Sequence, residues 1–109
     1  MTELSCEVAK PYALFFKALS SAARIEIINL LQKGPKNSGE ISKELGFEQS
    51  MVSHHLACLS FCGFVKSKRK GKNKVYSLND ETVAPLLKIV DQHLNSYATN
   101  LLECEALKR

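Results

Sequence analysis

Two short stretches of helical period meet at Gly46, and a basic hairpin follows the second one directly. That order leaves few folds open. In SGEISKELGFE, Ile41 and Leu45 stand one turn apart, and Gly46 then supplies the residue type that ends helices. In Gln49 to Gly63, QSMVSHHLACLSFCG, the residues Val52, Leu56 and Leu59 recur at i, i+4 and i+7 and make one apolar stripe. Ser50, Ser53, His54 and Ala57 fall on the opposite side, where small and hydrogen-bonding groups can meet base edges in a major groove. Helix, glycine turn, helix is the helix-turn-helix order, in which the second helix reads the DNA.

Beyond Gly63, Phe64-Val-Lys-Ser-Lys and Lys74-Val-Tyr-Ser-Leu alternate like two strands around Lys70-Gly71-Lys72-Asn73, a hairpin pattern. Six of the nine residues from Lys66 to Lys74 are Lys or Arg and none is acidic. The whole chain carries a formal charge of +4, so the residues outside this segment sum to 4 − 6 = −2. Charge focused in this way suits a wing that grips phosphates. The alternative is a solvated hairpin whose lysines only prevent edge pairing. Candidate DNA contacts are therefore Gln49, Ser50, Ser53 and His54 on the helix, with Lys68, Arg69, Lys70, Lys72 and Lys74 on the wing.

The string SHHLACLSFCGFVKSKRKGKNKVYSL resembles the recognition helix and wing of the ArsR/SmtB family of winged-helix repressors. KALSSAARIEIINLL resembles that family's second helix and its entry, with Ala22-Ala23-Arg24 where the family often has Asp-Pro before the arginine. The resemblance runs from about residue 10 to 100. It implies a mainly α fold with a β-hairpin wing (α+β), a dimeric winged helix-turn-helix in one domain spanning residues 1–109. A chain of 109 residues with 45% apolar content suits one such domain, whose limited core makes dimerisation a natural aid. With no run of eighteen apolar residues and no signal-peptide pattern, the expectation is a cytoplasmic protein without a membrane partner.

The flanking segments fill in the outline. Residues 1 to 9 read as a loose lead-in, and Pro11 as the first turn of a helix carrying Tyr12, Leu14, Phe15, Phe16 and Leu19. Ser20-Ser21 offers an N-cap for a helix from Ala22 to Leu31, with Ile25, Ile28 and Leu31 inward and Gly34-Pro35 beyond its end. From about Asp80 to Leu102, a stripe of Val83, Leu86, Leu87, Val90, Leu94, Tyr97 and Leu101 is too long for so small a domain to cover. In the family this helix and the first one form the homodimer interface, and the resemblance implies the same here.

The cysteines suggest the effector. Four cysteines without Cys-x-x-Cys pairs argue against a disulfide framework. The family's Cys-x-Cys metal motif is absent, since Asn37, Ser38 and Gly39 precede Glu40. Its second site, on the last helix, keeps Asp80 and His93, but Thr82 and Ser96 replace the other two ligands, and a tetrahedral zinc site needs four donors. What remains is Cys58-x-x-x-Cys62 with Cys104, similar to the CmtR-type cadmium- and lead-sensing branch. That resemblance implies a soft-metal site of Cys58, Cys62 and Cys104, the last drawn from the other subunit, with Cys6 open as a further ligand. Soft sulfur donors select Cd or Pb, with As, Zn or Cu also open, over hard ions.

The expectation is a metal-responsive repressor that holds inverted-repeat operator DNA as a homodimer and is released by Cd(II) or Pb(II). Rival readings are a thiol redox switch, a regulator without effector, and a winged helix that binds protein rather than DNA. A thiol enzyme pairing Cys58 with His54 or His55 lacks a third orienting group.

Overall fold

The computed structural model describes residues 6–108, with side chains from Ala9 onward. The element order is α1 (Cys6–Ala18), α2 (Ala22–Leu31), β1 (Lys36–Asn37), α3 (Ser38–Leu45), α4 (Gln49–Phe61), β2 (Val65–Lys70), β3 (Asn73–Leu78) and α5 (Val83–Glu103). A single 3-10 turn, Glu105–Lys108, follows α5. The chain forms two compact units, Met1–Leu78 and Asn79–Arg109.

In the first unit, α2, α3 and α4 pack on one another and on a small antiparallel sheet of order β1-β3-β2. Its core is Ile27, Ile28, Leu31, Ile41, Val52, Leu56, Leu59, Phe64 and Val65, each at most 3% exposed. The α4 stripe of Val52, Leu56 and Leu59 is fully buried, as its period predicts. On α2 the expected stripe is displaced: Ile25 is half exposed at 50%, and Ile27 takes the inward position beside Ile28 and Leu31. Arg24, Ile27, Ile28 and Leu31 share the i, i+3, i+4, i+7 face, and Ile25 stands one residue outside it.

Local chemistry sets the helix ends. Ser21 caps α2 by accepting the Arg24 N–H at 3.4 Å. Asn37 caps α3 in a reciprocal box: its Oδ1 accepts from Glu40 N at 2.8 Å, and Glu40 Oε1 accepts from Asn37 N at 2.9 Å. Gly46 ends α3 in the left-handed region at φ 71°, which lets the chain turn directly into α4. The first helix departs from expectation. It starts at Cys6 rather than Pro11, so residues 6–9 are helical and Pro11 lies within the helix. At that depth proline removes one backbone bond and crowds the carbonyl four residues earlier.

The hairpin closes more tightly than its sequence pattern suggests. Lys70 pairs with Asn73, leaving Gly71-Lys72 as a two-residue loop with Gly71 at φ 62°. The two-residue β1, which carried no strand signal, adds to the other edge of β3 through Lys36↔Tyr76 and Asn37↔Val75.

In the second unit, Asn79 prepares α5: its Oδ1 accepts from Glu81 N at 3.1 Å and from Thr82 N at 3.4 Å. Pro85 sits in the first turn, where its missing N–H costs nothing. The apolar stripe is buried only at its start. Val83 is 3% exposed, whereas Val90, Leu94, Tyr97 and Leu101 are 39–53% exposed. Among the described residues no helix is long and apolar enough to cross a membrane.

Candidate nucleic-acid interface and thiol pair

Burying Val52, Leu56 and Leu59 turns the opposite side of α4 to solvent, so Gln49, Ser50, Ser53, His54 and Ala57 are all exposed. Short donors and acceptors near the start of an exposed helix are what a major groove accommodates. The wing begins where α4 ends: Gly63, at φ 83°, reverses the chain and Phe64 anchors it in the core. From Lys66 to Lys74 every residue is exposed, which places Lys68, Arg69, Lys70, Lys72 and Lys74 on a hairpin reaching past the core. Lys74 Nζ lies 5.9 Å from the Tyr76 ring centroid, a cation–π contact that orients one wing lysine.

On the α2 side of α4 lies a feature that the sequence pattern did not reveal. Arg24 Nε donates to His55 Nδ1 at 3.1 Å, and Arg24 Nη1 donates to the Ala18 carbonyl at 3.3 Å. One guanidinium thus ties α4 to the α1–α2 junction. Accepting this bond requires a lone pair on Nδ1, so the imidazole is neutral with its proton on Nε2. Its pKa is correspondingly lowered, first by desolvation, then by the Arg24 and His54 charges. The only sequence trace of this link is an arginine sharing the inward face of α2.

Further along α4, Cys58 is half-buried and Cys62, the C-cap residue, is exposed. Their one-turn spacing on α4 puts both thiols on one side of the helix, where Cys58 acts on Cys62. Cys62 has its pKa raised, first by desolvation and then by the charge and hydrogen bond of Cys58, while Arg24 opposes the rise. Cys104 is the C-cap of α5: its N–H donates to Leu101 O at 3.4 Å, and its own carbonyl accepts from Leu107 N at 3.2 Å. Its side chain is half-buried, and a 3-10 turn follows it directly. The side chain of Cys6 lies outside the described residues. His93 stacks on Tyr97 at 4.9 Å between centroids. Among the described residues of one chain, no group of three or more His, Cys, Asp or Glu side chains is placed to hold a metal ion.

A helix-turn-helix with a polar exposed face and a basic wing defines a DNA-binding transcriptional repressor, not an enzyme. The chain belongs to the bacterial ArsR family of regulatory proteins, whose model matches residues 21–67. It is 36% identical over 85 residues to a probable mercury resistance operon repressor of Streptomyces lividans, covering 78% of this chain and 68% of that one. The crystal structure of Rv0081 from Mycobacterium tuberculosis superposes with a TM-score of 0.80 at 31% identity, covering 87% of this chain and 96% of that one. A homodimeric winged helix-turn-helix DNA-binding domain of Mb0332 from Mycobacterium bovis gives 0.76 at 26% identity, covering 89% and 93%.

Proposed function

We propose that this chain is a metal-responsive repressor acting as a homodimer on inverted-repeat operator DNA. α4 reads bases through Gln49, Ser50, Ser53 and His54, and Lys68, Arg69, Lys70, Lys72 and Lys74 grip flanking phosphates. The exposed apolar faces of α1, with Tyr12 and Phe16, and of α5, with Val90, Leu94, Tyr97 and Leu101, supply the dimer contact and make residues 1–109 one functional domain. The homodimeric state of the Mycobacterium bovis relative supports this assignment. The effector is a thiophilic ion, Cd(II) or Pb(II), taken by Cys58 and Cys62 of one subunit and Cys104 of the other. Cys6 is available to the same site.

The observation that carries the reading is a pair of free cysteines one turn apart on the same helix as the base-reading face. Two sulfurs on one side of a helical turn can approach a single large soft ion, and their ligation directly loads the DNA-reading element. The Cys62 pKa is raised, first by desolvation and then by Cys58, so its thiol holds its proton more firmly. Metal must then displace the thiol protons, so affinity rises with pH. A coupling of about 1–3 kcal/mol lowers operator affinity roughly 5- to 150-fold.

The test is an anaerobic titration of the reduced protein with Cd(II) and Pb(II), following thiolate-to-metal absorption and operator release together. Binding that leaves operator affinity unchanged refutes the sensor. Release by a mild oxidant under chelation, with no response to metal, establishes the redox alternative.

A further inference from the structure

The solvent-facing side of α4 carries one large residue beyond its polar members. At about 3.6 residues per turn, Ser50, His54, Ala57 and Phe61 fall within about 60° of one another, on the side opposite Val52, Leu56 and Leu59. All four are exposed, and Phe61, at 93%, is the most exposed large apolar side chain among the described residues. A single exposed apolar residue is ordinary on a protein surface. This one stands in line with the groove-facing side chains, one turn beyond Ala57.

The composition of α4 points the same way. From Gln49 to Phe61 the helix carries no Lys, Arg, Asp or Glu. Bidentate reading of guanine by Arg or Lys, the commonest specific contact, is therefore closed to it. What the helix offers is an amide, Gln49, of the kind that pairs with adenine, and hydroxyls and an imidazole that suit several bases. Its second half adds two apolar groups, Ala57 and Phe61, of the kind that meet the thymine C5-methyl. We infer that Phe61 is a specificity-determining residue that reads a thymine methyl in the major groove, with Ala57 flanking it, so that each operator half-site is A·T beneath the second half of α4. The inference rests on the DNA-reading role proposed for this helix. Ala57 and Phe61 lie about 6 Å apart along the axis, roughly two base-pair steps, so α4 lies along the groove rather than entering it by its first turn alone.

Replacing thymine by deoxyuridine removes the methyl without disturbing the base pair. The reduced, full-length chain first selects its preferred duplex from a random pool, and each thymine of that duplex is then replaced in turn. Removing one buried methyl corresponds to about a fourfold loss of affinity. The wild-type chain is expected to show this loss at a thymine in each half-site. Phe61→Ser is expected to bind the unmodified duplex at least about fourfold more weakly and to ignore the replacement at that thymine. Phe61→Leu, which keeps an apolar end, is expected to retain part of the sensitivity. Both variants are expected to keep the wild-type salt slope, since no phosphate contact is lost.

Tolerance of every deoxyuridine by the wild-type chain, or the same losses in Phe61→Ser as in wild type, overturns the inference and leaves the wing and the polar half of α4 as the DNA-binding surface. Weaker self-association of Phe61→Ser in sedimentation, with deoxyuridine sensitivity unchanged, overturns it too and assigns the ring to a contact between copies of the chain. A chain that enriches no duplex from the pool refutes the repressor reading, and the role of Phe61 with it.

Discussion

Replacing Arg24 by alanine tests the link between the DNA-reading helix and the rest of the fold. The substitution deletes two side-chain bonds, Nε to His55 Nδ1 at 3.1 Å and Nη1 to the Ala18 carbonyl at 3.3 Å. It spares the backbone N–H that Ser21 caps. Hydrogen bonds from a charged donor contribute about 1.5–3 kcal/mol each when buried. Both bonds here are only part-buried, and water can reach the released acceptors, so about 2 kcal/mol for the pair is the expected cost. For a domain of this size that lowers Tm by roughly 8–16 °C. Protein concentration must be held constant, since dimerisation shifts Tm by mass action.

A second signal separates the bridge from general damage. Removing the guanidinium removes the Arg24 share of the His55 shift, so the His55 pKa rises towards its ordinary value of 6.5 but stays below it through desolvation and the His54 charge. Arg24→Lys keeps a charge near His55 but loses the fork that spans two acceptors. It is expected to keep the pKa low while still losing most of the stability. Urea or thermal unfolding together with histidine NMR titration measures both. An Arg24→Ala protein whose Tm moves by less than about 2 °C, with His55 titrating as in wild type, would show that the bridge does not form in solution.

Stability itself should depend on pH through His55. Its folded pKa lies below the unfolded value, so the unfolded chain binds the proton first; stability is fully present above about pH 6.5 and falls as pH drops towards the folded pKa. Urea midpoints across this range measure it, and a His55→Gln chain with the same slope would refute it. Lys70→Ala with Lys72→Ala is expected to weaken binding to every duplex alike and to flatten the salt slope by about one per lost contact; an unchanged slope removes the wing from the interface. His54→Ala is expected to weaken operator binding more than non-specific binding, and equal losses would demote it to positioning. Leu56→Ala, at a fully buried position, is expected to cost about 2–5 kcal/mol in chemical denaturation.

The parts of this fold that were legible in the sequence are those whose signal is local. The α4 stripe, the Ser21 cap, the Gly46 turn and the hairpin each depend on residues a few positions apart. What the sequence hid has a physical reason in each case. A two-residue β1 has no period to detect, and its strand character comes entirely from pairing with β3. The start of α1 was misplaced because Pro11 favours a first turn, and that local preference is overridden here. Ile25 and Ile27 are chemically equal, so only the position of the neighbouring elements decides which one is buried.

The thiol pair shows where pattern stops and geometry begins. Spacing alone placed Cys58 and Cys62 on one side of a helix, but not which neighbours they would meet. The fold sets Cys62 within the electrostatic reach of Arg24, which also holds His55 three residues before Cys58 on the same helix. A divalent ion held by three thiolates, Cys58, Cys62 and Cys104, would carry a net negative charge near a guanidinium already committed to His55 and to the Ala18 carbonyl. Any pull on Arg24 is then shared with α4 and with the α1–α2 junction. This gives effector binding a route to the DNA-reading face without a change in the apolar core, where Val52, Leu56 and Leu59 remain fully buried. Arg24→Lys should consequently separate the two functions, binding Cd(II) through unaltered thiols while releasing operator DNA less completely than wild type.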